Sequence, residues 1–305
     1  MKNELEQNLI HYLEQSIPAH NFAEVYRYAV IPAGKLFRPK LALAAFEDGG
    51  GDIHNIPLAH AIWPFASALE IHHAYTLVHD DLPAMDDDDM RRGRPATHKE
   101  FGQWQAILAG DGLAVASFRL LSRVNHPQNR FITAVAAHAL GPKGLIHGQA
   151  LDLSGEMKNN FESLLLTHEL KTARLIQLAL LGGTVLATKN IDAKACKKAW
   201  RLGHAIGLSF QLLDDLGELS DTQLSEHEAD VNPWLSKQSS MCSEMTVSLL
   251  QKIDALAGKN VRHELSIYYK KTLAHFESGK SSIENHLKDK SLLNPVMALL
   301  KSLGQ

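Results

Sequence analysis

The stretch Trp63-Pro-Phe-Ala-Ser-Ala-Leu-Glu-Ile-His-His-Ala-Tyr-Thr-Leu-Val78 runs directly into His79-Asp-Asp-Leu-Pro-Ala-Met-Asp-Asp-Asp-Asp-Met-Arg-Arg-Gly-Arg94. The first half is a largely apolar helical segment. The second sets six carboxylates ahead of three arginines. Outward from this junction, apolar residues keep recurring at helical spacing, as in Leu9, Tyr12, Leu13 and Ile17 or Leu164, Leu165, Leu170 and Leu175, and few segments alternate as strands would. The pattern predicts an all-α protein. Breaks at Ile31 to Gly34, Asp48 to Gly51, Leu82-Pro83, Gly93 to Pro95, Gly141-Pro142 and Val231 to Pro233 divide it into roughly ten helices. Leu219 to Ser243 is polar and aperiodic, and reads as a long loop, either close to functional chemistry or mobile.

The composition narrows the function. A chain of 305 residues that is 45% hydrophobic can bury a large core, as one helical bundle or as two domains. A net charge of −3 and a pI near 6.6 give no basic field for nucleic acid, so a polyanionic substrate requires a local basic patch. Cys196 and Cys242 have neither disulfide-framework nor zinc-ligand spacing, and are expected as reduced thiols in a cytoplasmic protein. The amphipathic N-terminus lacks the features of a signal peptide, and no run approaches the about eighteen apolar residues of a membrane span.

An acidic run taken alone reads as a solvated loop. Here Asp80 and Asp81 end an apolar helix, which implies a cavity floor beneath them, and clustered carboxylates repel one another unless cations neutralise them. Ligands that are all oxygen select hard ions such as magnesium. In a straight helix Asp80 and Asp86 would point about 240° apart. Pro83 disfavours helix at Leu82 and removes a donor, so the chain bulges and returns Asp86 beside Asp80. Arg91 and Arg92 follow with planar forks suited to diphosphate oxygens.

In a second cluster, Leu208 to Asp221, Asp214 and Glu218 are four apart and share a helix face. They read either as a further magnesium site or as the exposed acids of a helix end, which Gly217 would mark. Lys35 and Arg38 lie three apart after a glycine-bearing loop, an arrangement that suits an anion but taken alone is more often a surface pair.

Together these segments resemble the trans-polyprenyl diphosphate synthase family, and most closely its bacterial farnesyl diphosphate synthases, the geranyltranstransferases. The resemblance spans Tyr28 to Asp221. It is carried by His73-Ala74-Tyr75, His79-Asp80-Asp81-Leu-Pro-Ala-Met-Asp86, Arg91-Arg92-Gly93 and Leu108-Ala109-Gly110-Asp111. Gly34-Lys35, Arg38-Pro39, Gly148 to Leu153, Lys171-Thr172, Phe210-Gln211 and Asp214-Asp215 support it. It implies one catalytic domain over residues 1–305, a helical bundle around a deep central cavity, in a homodimer. Magnesium, about three ions per site, is expected on Asp80, Asp81 and Asp86 from one wall and on Asp214 and Glu218 from the other. Arg91, Lys171, Thr172 and Gln211 would contact the allylic diphosphate, and Lys35, Arg38, His73 and Arg92 the isopentenyl diphosphate. The implied reaction is loss of diphosphate from the allylic substrate, attack on the resulting cation by the isopentenyl double bond, and loss of a proton. Asp80, Asp86, Arg91, Lys171 and Asp214 would carry it. Tyr75, an aromatic five residues before Asp80, would stop the chain at farnesyl length.

The sequence also departs from the family. Glu218 stands where an aspartate is usual and Leu36 where an arginine is usual. No lysine matches the first one expected after the second motif, where Glu226, Glu228 and Asp230 lie instead. Lys237 stands for the later one. These departures motivate an alternative, a non-catalytic paralogue or regulatory subunit that binds a prenyl diphosphate or a partner synthase. A terpene cyclase would share the acidic motif but leave Lys35, Arg38 and His73 without purpose.

Overall fold

The computed structural model describes residues 2–57, 60–221, 223, 224 and 232–305. Among them the structure is helical, and its regular β-structure is one hairpin that pairs β1 (Met90–Arg91) with β2 (Arg94–Pro95). The all-α expectation holds.

One compact unit comprises Met1–Val135 with Gly182–Asp192. It contains α1 (Lys2–Glu14), α2 (Ala23–Val30), α3 (Phe37–Asp48), α4 (Ile62–Asp80), the hairpin, α5 (Thr97–Phe101) and α6 (Gln103–Ser122). Helix α4 is its axis, with α1, α3 and α6 packed around it. Trp63, Phe65, Leu69 and Ile71 point in different directions from α4, yet none is more than 1% exposed. A helix covered on every side needs no polar stripe, which is why its sequence reads as a continuous apolar run. Gly182 and Gly183 bring the returning segment onto this core. A Cβ on Gly182 would lie 2.0 Å from the Phe65 ring, and one on Gly183 would lie 2.1 Å from the Ala42 carbonyl oxygen. No side chain fits in either gap.

The other unit comprises Ala136–Leu181 and Ala193–Gln305. Its elements are α8 (Leu145–Leu153), α9 (Phe161–His168), a π-helical turn (Glu169–Ala173), α11 (Ala193–Glu218), a short turn at Pro233–Leu235, α12 (Ser239–Leu256), α13 (Lys259–Ser278), α14 (Lys280–His286) and α15 (Leu293–Leu303). Helix α11 packs on α12 and on the π turn. Helices α7 (Asn129–Leu140) and α10 (Arg174–Leu186) contribute residues to both units. No described helix is long and apolar enough to cross a membrane.

Among the described residues the expected breaks coincide with element ends, Val231 of the last one lying outside them, and glycines add others. Gly102, at φ 111°, separates α5 from α6. Within the polar stretch from Leu219, the described residues after the second acidic cluster include buried ones. Asn232 and Trp234 are 3% and 1% exposed, and the Trp234 indole donates to the Leu212 carbonyl at 2.8 Å. Glu226, Glu228 and Asp230 lie outside the described residues, and Lys237 is exposed.

Candidate active site

Helix α4 ends at Asp80, and the chain then turns back on itself. The Leu82 amide donates to the His79 carbonyl at 3.1 Å, the Asp87 amide to Leu82 at 3.2 Å, and the Asp86 amide to the Asp80 carbonyl at 2.8 Å. The backbone of Asp86 is thus joined to that of Asp80 across the Pro83 loop. Asp80 sits at the C-terminal end of its helix, where the peptide dipoles already concentrate negative potential. Asp214, Asp215 and Glu218 occupy the same position on α11. Acids placed there are destabilising unless cations meet them, and the oxygen-only donor set fits a hard divalent ion.

Asp81 faces elsewhere. Only 2% of its side chain is exposed, and the Arg91 guanidinium donates to its Oδ1 from Nε at 2.8 Å and also from Nη2. Burial pushes the Asp81 carboxyl up, and Arg91 pulls it back down. The expected metal ligand Asp81 is therefore occupied in anchoring Arg91. A further trio, Asp87, Asp89 and buried His98, brings ligand atoms within 4.8 Å of one another, but the Lys99 ammonium already sits 2.6 Å from Asp89.

The hairpin spreads the arginines. Arg91 pairs with Arg94 across a two-residue turn in which Arg92 and Gly93 have φ of 55° and 77°, the left-handed pair that such tight hairpins require. Arg91 also donates to Asp88 at 2.6 Å. Arg92 points the other way, donating to the Pro32 carbonyl at 3.1 Å, with its Nη2 3.6 Å from Glu70. Arg94 stacks 3.9 Å above the Tyr28 ring and donates to the Ile31 carbonyl at 2.8 Å, fixing the hairpin to α2.

Around Arg92 lie the other residues expected at the isopentenyl end. Lys35 is exposed, and Leu36, at φ 52°, starts α3 and so places Arg38 on its first turn. Burial lowers the Arg38 guanidinium, partly offset by Glu70. Burial, together with Arg38 and Arg92, drives His73 well below its ordinary range, so it is neutral at pH 7. Glu70 was not anticipated from the sequence, because a single acid in an apolar run carries no periodic signal.

Five residues before Asp80, Tyr75 is 9% exposed and meets the rings of His72 and His79 edge-on at 4.8 and 5.3 Å. His79 in turn occupies space left by Gly110, where a Cβ would lie 2.1 Å from its Nε2. That contact explains the glycine of Leu108-Ala109-Gly110-Asp111.

In the other unit, the π turn carries Lys171 and buried Thr172, and Lys171 is ion-paired with Asp152. Gly148 permits this approach, since a Cβ there would lie 2.2 Å from the Lys171 amide nitrogen. Asp214 and Glu218 share the last turn of α11 with Gln211 one turn earlier. The Asn232 side-chain amide donates to Glu218 Oε2 at 3.0 Å. Asn232 was likewise missed, for it lies in a segment that reads as loop.

Over residues 19–229 the sequence matches the polyprenyl synthetase family. A geranylgeranyl diphosphate synthase of Cyanophora paradoxa is 38% identical over 220 residues, covering 69% of this chain and 71% of that protein. A farnesyl diphosphate synthase of Geobacillus stearothermophilus is 34% identical over 228 residues, covering 73% of this chain and 74% of that protein. A geranyltransferase crystal structure from Legionella pneumophila aligns with a TM-score of 0.65 at 27% identity, over 99% of this chain and 94% of that one. An acidic loop closed at the end of a buried helix, arginines spread by a tight hairpin and a family match over most of the sequence converge: the chain belongs to the polyprenyl synthetase family and has the chemistry of a trans-prenyl diphosphate synthase.

Proposed function

We propose that the chain is a farnesyl diphosphate synthase, acting as one catalytic domain of 305 residues in a homodimer. The observation that carries this reading is the closure of Asp86 onto Asp80 beside the anchored Arg91. Asp80 and Asp86, with Asp214 and Glu218, would hold magnesium, which when bound neutralises the departing diphosphate. Arg91, held by Asp81 and Asp88, presents its remaining donor edge to the allylic diphosphate. Lys171, Thr172 and Gln211 serve the same group. Arg38, Arg92 and Lys35 neutralise isopentenyl diphosphate, and neutral His73 donates a hydrogen bond without adding charge. Tyr75, buried between two imidazoles, supports a product that stops at farnesyl length.

Helices α7 and α10, shared between the compact units, support the single-domain reading. On α6, Trp104, Ile107, Leu108 and Val115, 44% to 71% exposed, share one side of the helix with exposed Asp111 among them, and this partly apolar face supports self-association. Cys196 and Cys242, neither of them in a disulfide, support a reducing, cytosolic compartment.

The test is incubation of the purified protein with magnesium, isopentenyl diphosphate and each allylic primer in turn, with products separated by length. A fifteen-carbon product is expected. Twenty-carbon chains would make it a geranylgeranyl synthase, and no product from any primer would leave the non-catalytic paralogue.

A further inference from the structure

Glu70 is an acid where the reaction wants cations. It lies on α4 among apolar residues and is 3% exposed, and a carboxylate in such a place is strongly disfavoured unless something charged meets it. Arg92 meets it at 3.6 Å, and Arg38 exerts its charge on it as well. Burial pushes the Glu70 carboxyl up, while the two guanidiniums, which keep their protons, pull it back toward the ionised form.

The two arginines need this partner. Arg38 Nε is buried and, among the described residues, has no hydrogen-bond acceptor. Arg92 stands on a left-handed residue that disfavours side chains, and its guanidinium is confined on three sides. The Pro32 carbonyl accepts from Nη1, the bare backbone of Gly34 leaves room for Nε where a Cβ would come within 3.3 Å, and Glu70 stands opposite Nη2. His72 and His73 offer no counter-charge, since an imidazole is never anionic, and burial keeps both neutral at pH 7. Without Glu70, two desolvated guanidiniums would stand over this apolar stretch of α4 with no carboxylate to neutralise them, and the more exposed would swing into water.

We propose that Glu70 is a positioning residue for isopentenyl diphosphate, a buried carboxylate that holds Arg38 and Arg92 together and aimed before the substrate binds. It acts through the arginines and does not touch substrate. This rests on the functional reading above, and particularly on Arg38 and Arg92 serving the isopentenyl end.

The experiment measures steady-state kinetics of the full-length protein and its Glu70→Gln and Glu70→Asp variants, with isopentenyl and geranyl diphosphate varied in turn, alongside thermal unfolding. In Glu70→Gln the KM for isopentenyl diphosphate should rise about tenfold or more, while kcat and the KM for geranyl diphosphate change less than about threefold. Glu70→Asp, which restores the charge on a shorter arm, should fall between the two. Should Glu70→Gln not fold, Glu70→Asp alone must still raise the isopentenyl KM selectively. An unchanged or lowered isopentenyl KM overturns the proposal, as does an equal rise for both substrates or a lower Tm with no change in KM. If the parent shows no turnover, the synthase reading fails on its own, and titration calorimetry of isopentenyl diphosphate with magnesium decides the role of Glu70. Weaker binding to Glu70→Gln than to the parent upholds it. Equal binding, or none to either, overturns it.

Discussion

At the scale of single residues, Asp80 and Asp86 have the most to lose. Replacing either with alanine should cut prenyl transfer at least about a hundredfold, equivalent to about 3 kcal/mol of barrier, because it removes a ligand for the ion that neutralises the leaving group. Stability should hold or rise, since carboxylate repulsion at a helix C-terminus is relieved. Turnover assays and thermal melts of the two variants check this, and near-parent turnover would remove these residues from the site. His72 provides a test that needs no substrate. It lies 3.0 Å from Ser117 Oγ, and burial, aided by Arg38, depresses it to about 4 from an ordinary 6.5. The unfolded chain therefore takes up a proton that the folded chain refuses. Stability is complete above pH 6.5 and drains away as pH falls toward 4, by roughly 2 to 3 kcal/mol at pH 4.5. His72→Gln should lose that much less between pH 7 and 4.5 in paired unfolding curves, and parallel losses would show that the imidazole is not held neutral. Residues with a motif around them, such as Asp80, Asp86 and Arg91, were legible in the sequence. Glu70 and Asn232 were not, because their meaning lies in the partner each meets across the fold.

At the scale of elements, proline and glycine were the readable marks, and their consequences differ with what surrounds them. Pro83 implied the return of the chain after α4, and the Asp86 to Asp80 hydrogen bond shows it. The α4 helix was legible from its apolar run, whereas the π turn at Lys171 was not, since an extra residue in a helical turn leaves the apolar spacing almost unchanged. Gly148 and Gly217 make a matched pair for testing. A Cβ at Gly148 would strike backbone at 2.2 Å, while at Gly217 the nearest neighbour is the His275 ring at 3.5 Å, an ordinary contact. Gly148→Ala should cost about 1 to 3 kcal/mol and raise the KM for the allylic substrate by displacing the turn that carries Lys171. Gly217→Ala, inside α11, should be neutral or stabilising by up to about 1 kcal/mol. Melting temperatures of the two variants check the contrast, and equal effects would contradict the close approach of α8 to the π turn.

At the scale of the whole molecule, one buried helix ranks several tasks along its length, with Glu70, His73, Tyr75 and Asp80 following one another on α4. Tyr75 lies about 7.5 Å back from Asp80 along that axis, so a growing chain that starts at the acids meets the ring. Tyr75→Ala should therefore shift the product toward twenty carbons, as read by chromatography of dephosphorylated products under excess isopentenyl diphosphate. An unchanged distribution would place the stop elsewhere. The division into compact units was not legible, because no linker marks it. The first unit draws Gly182–Asp192 back onto Phe65 and Ala42, and that segment is made long after them. A ribosome adding about 5 to 20 residues each second must therefore extend the chain well past Val135 before the Phe65 face of α4 can be covered. During that interval the Phe65 face of this largely apolar helix stands bare. A fragment ending at Val135 should accordingly stay protease-sensitive where one reaching Asp192 is protected, and birth order, as much as final packing, decides when this chain is exposed to aggregation.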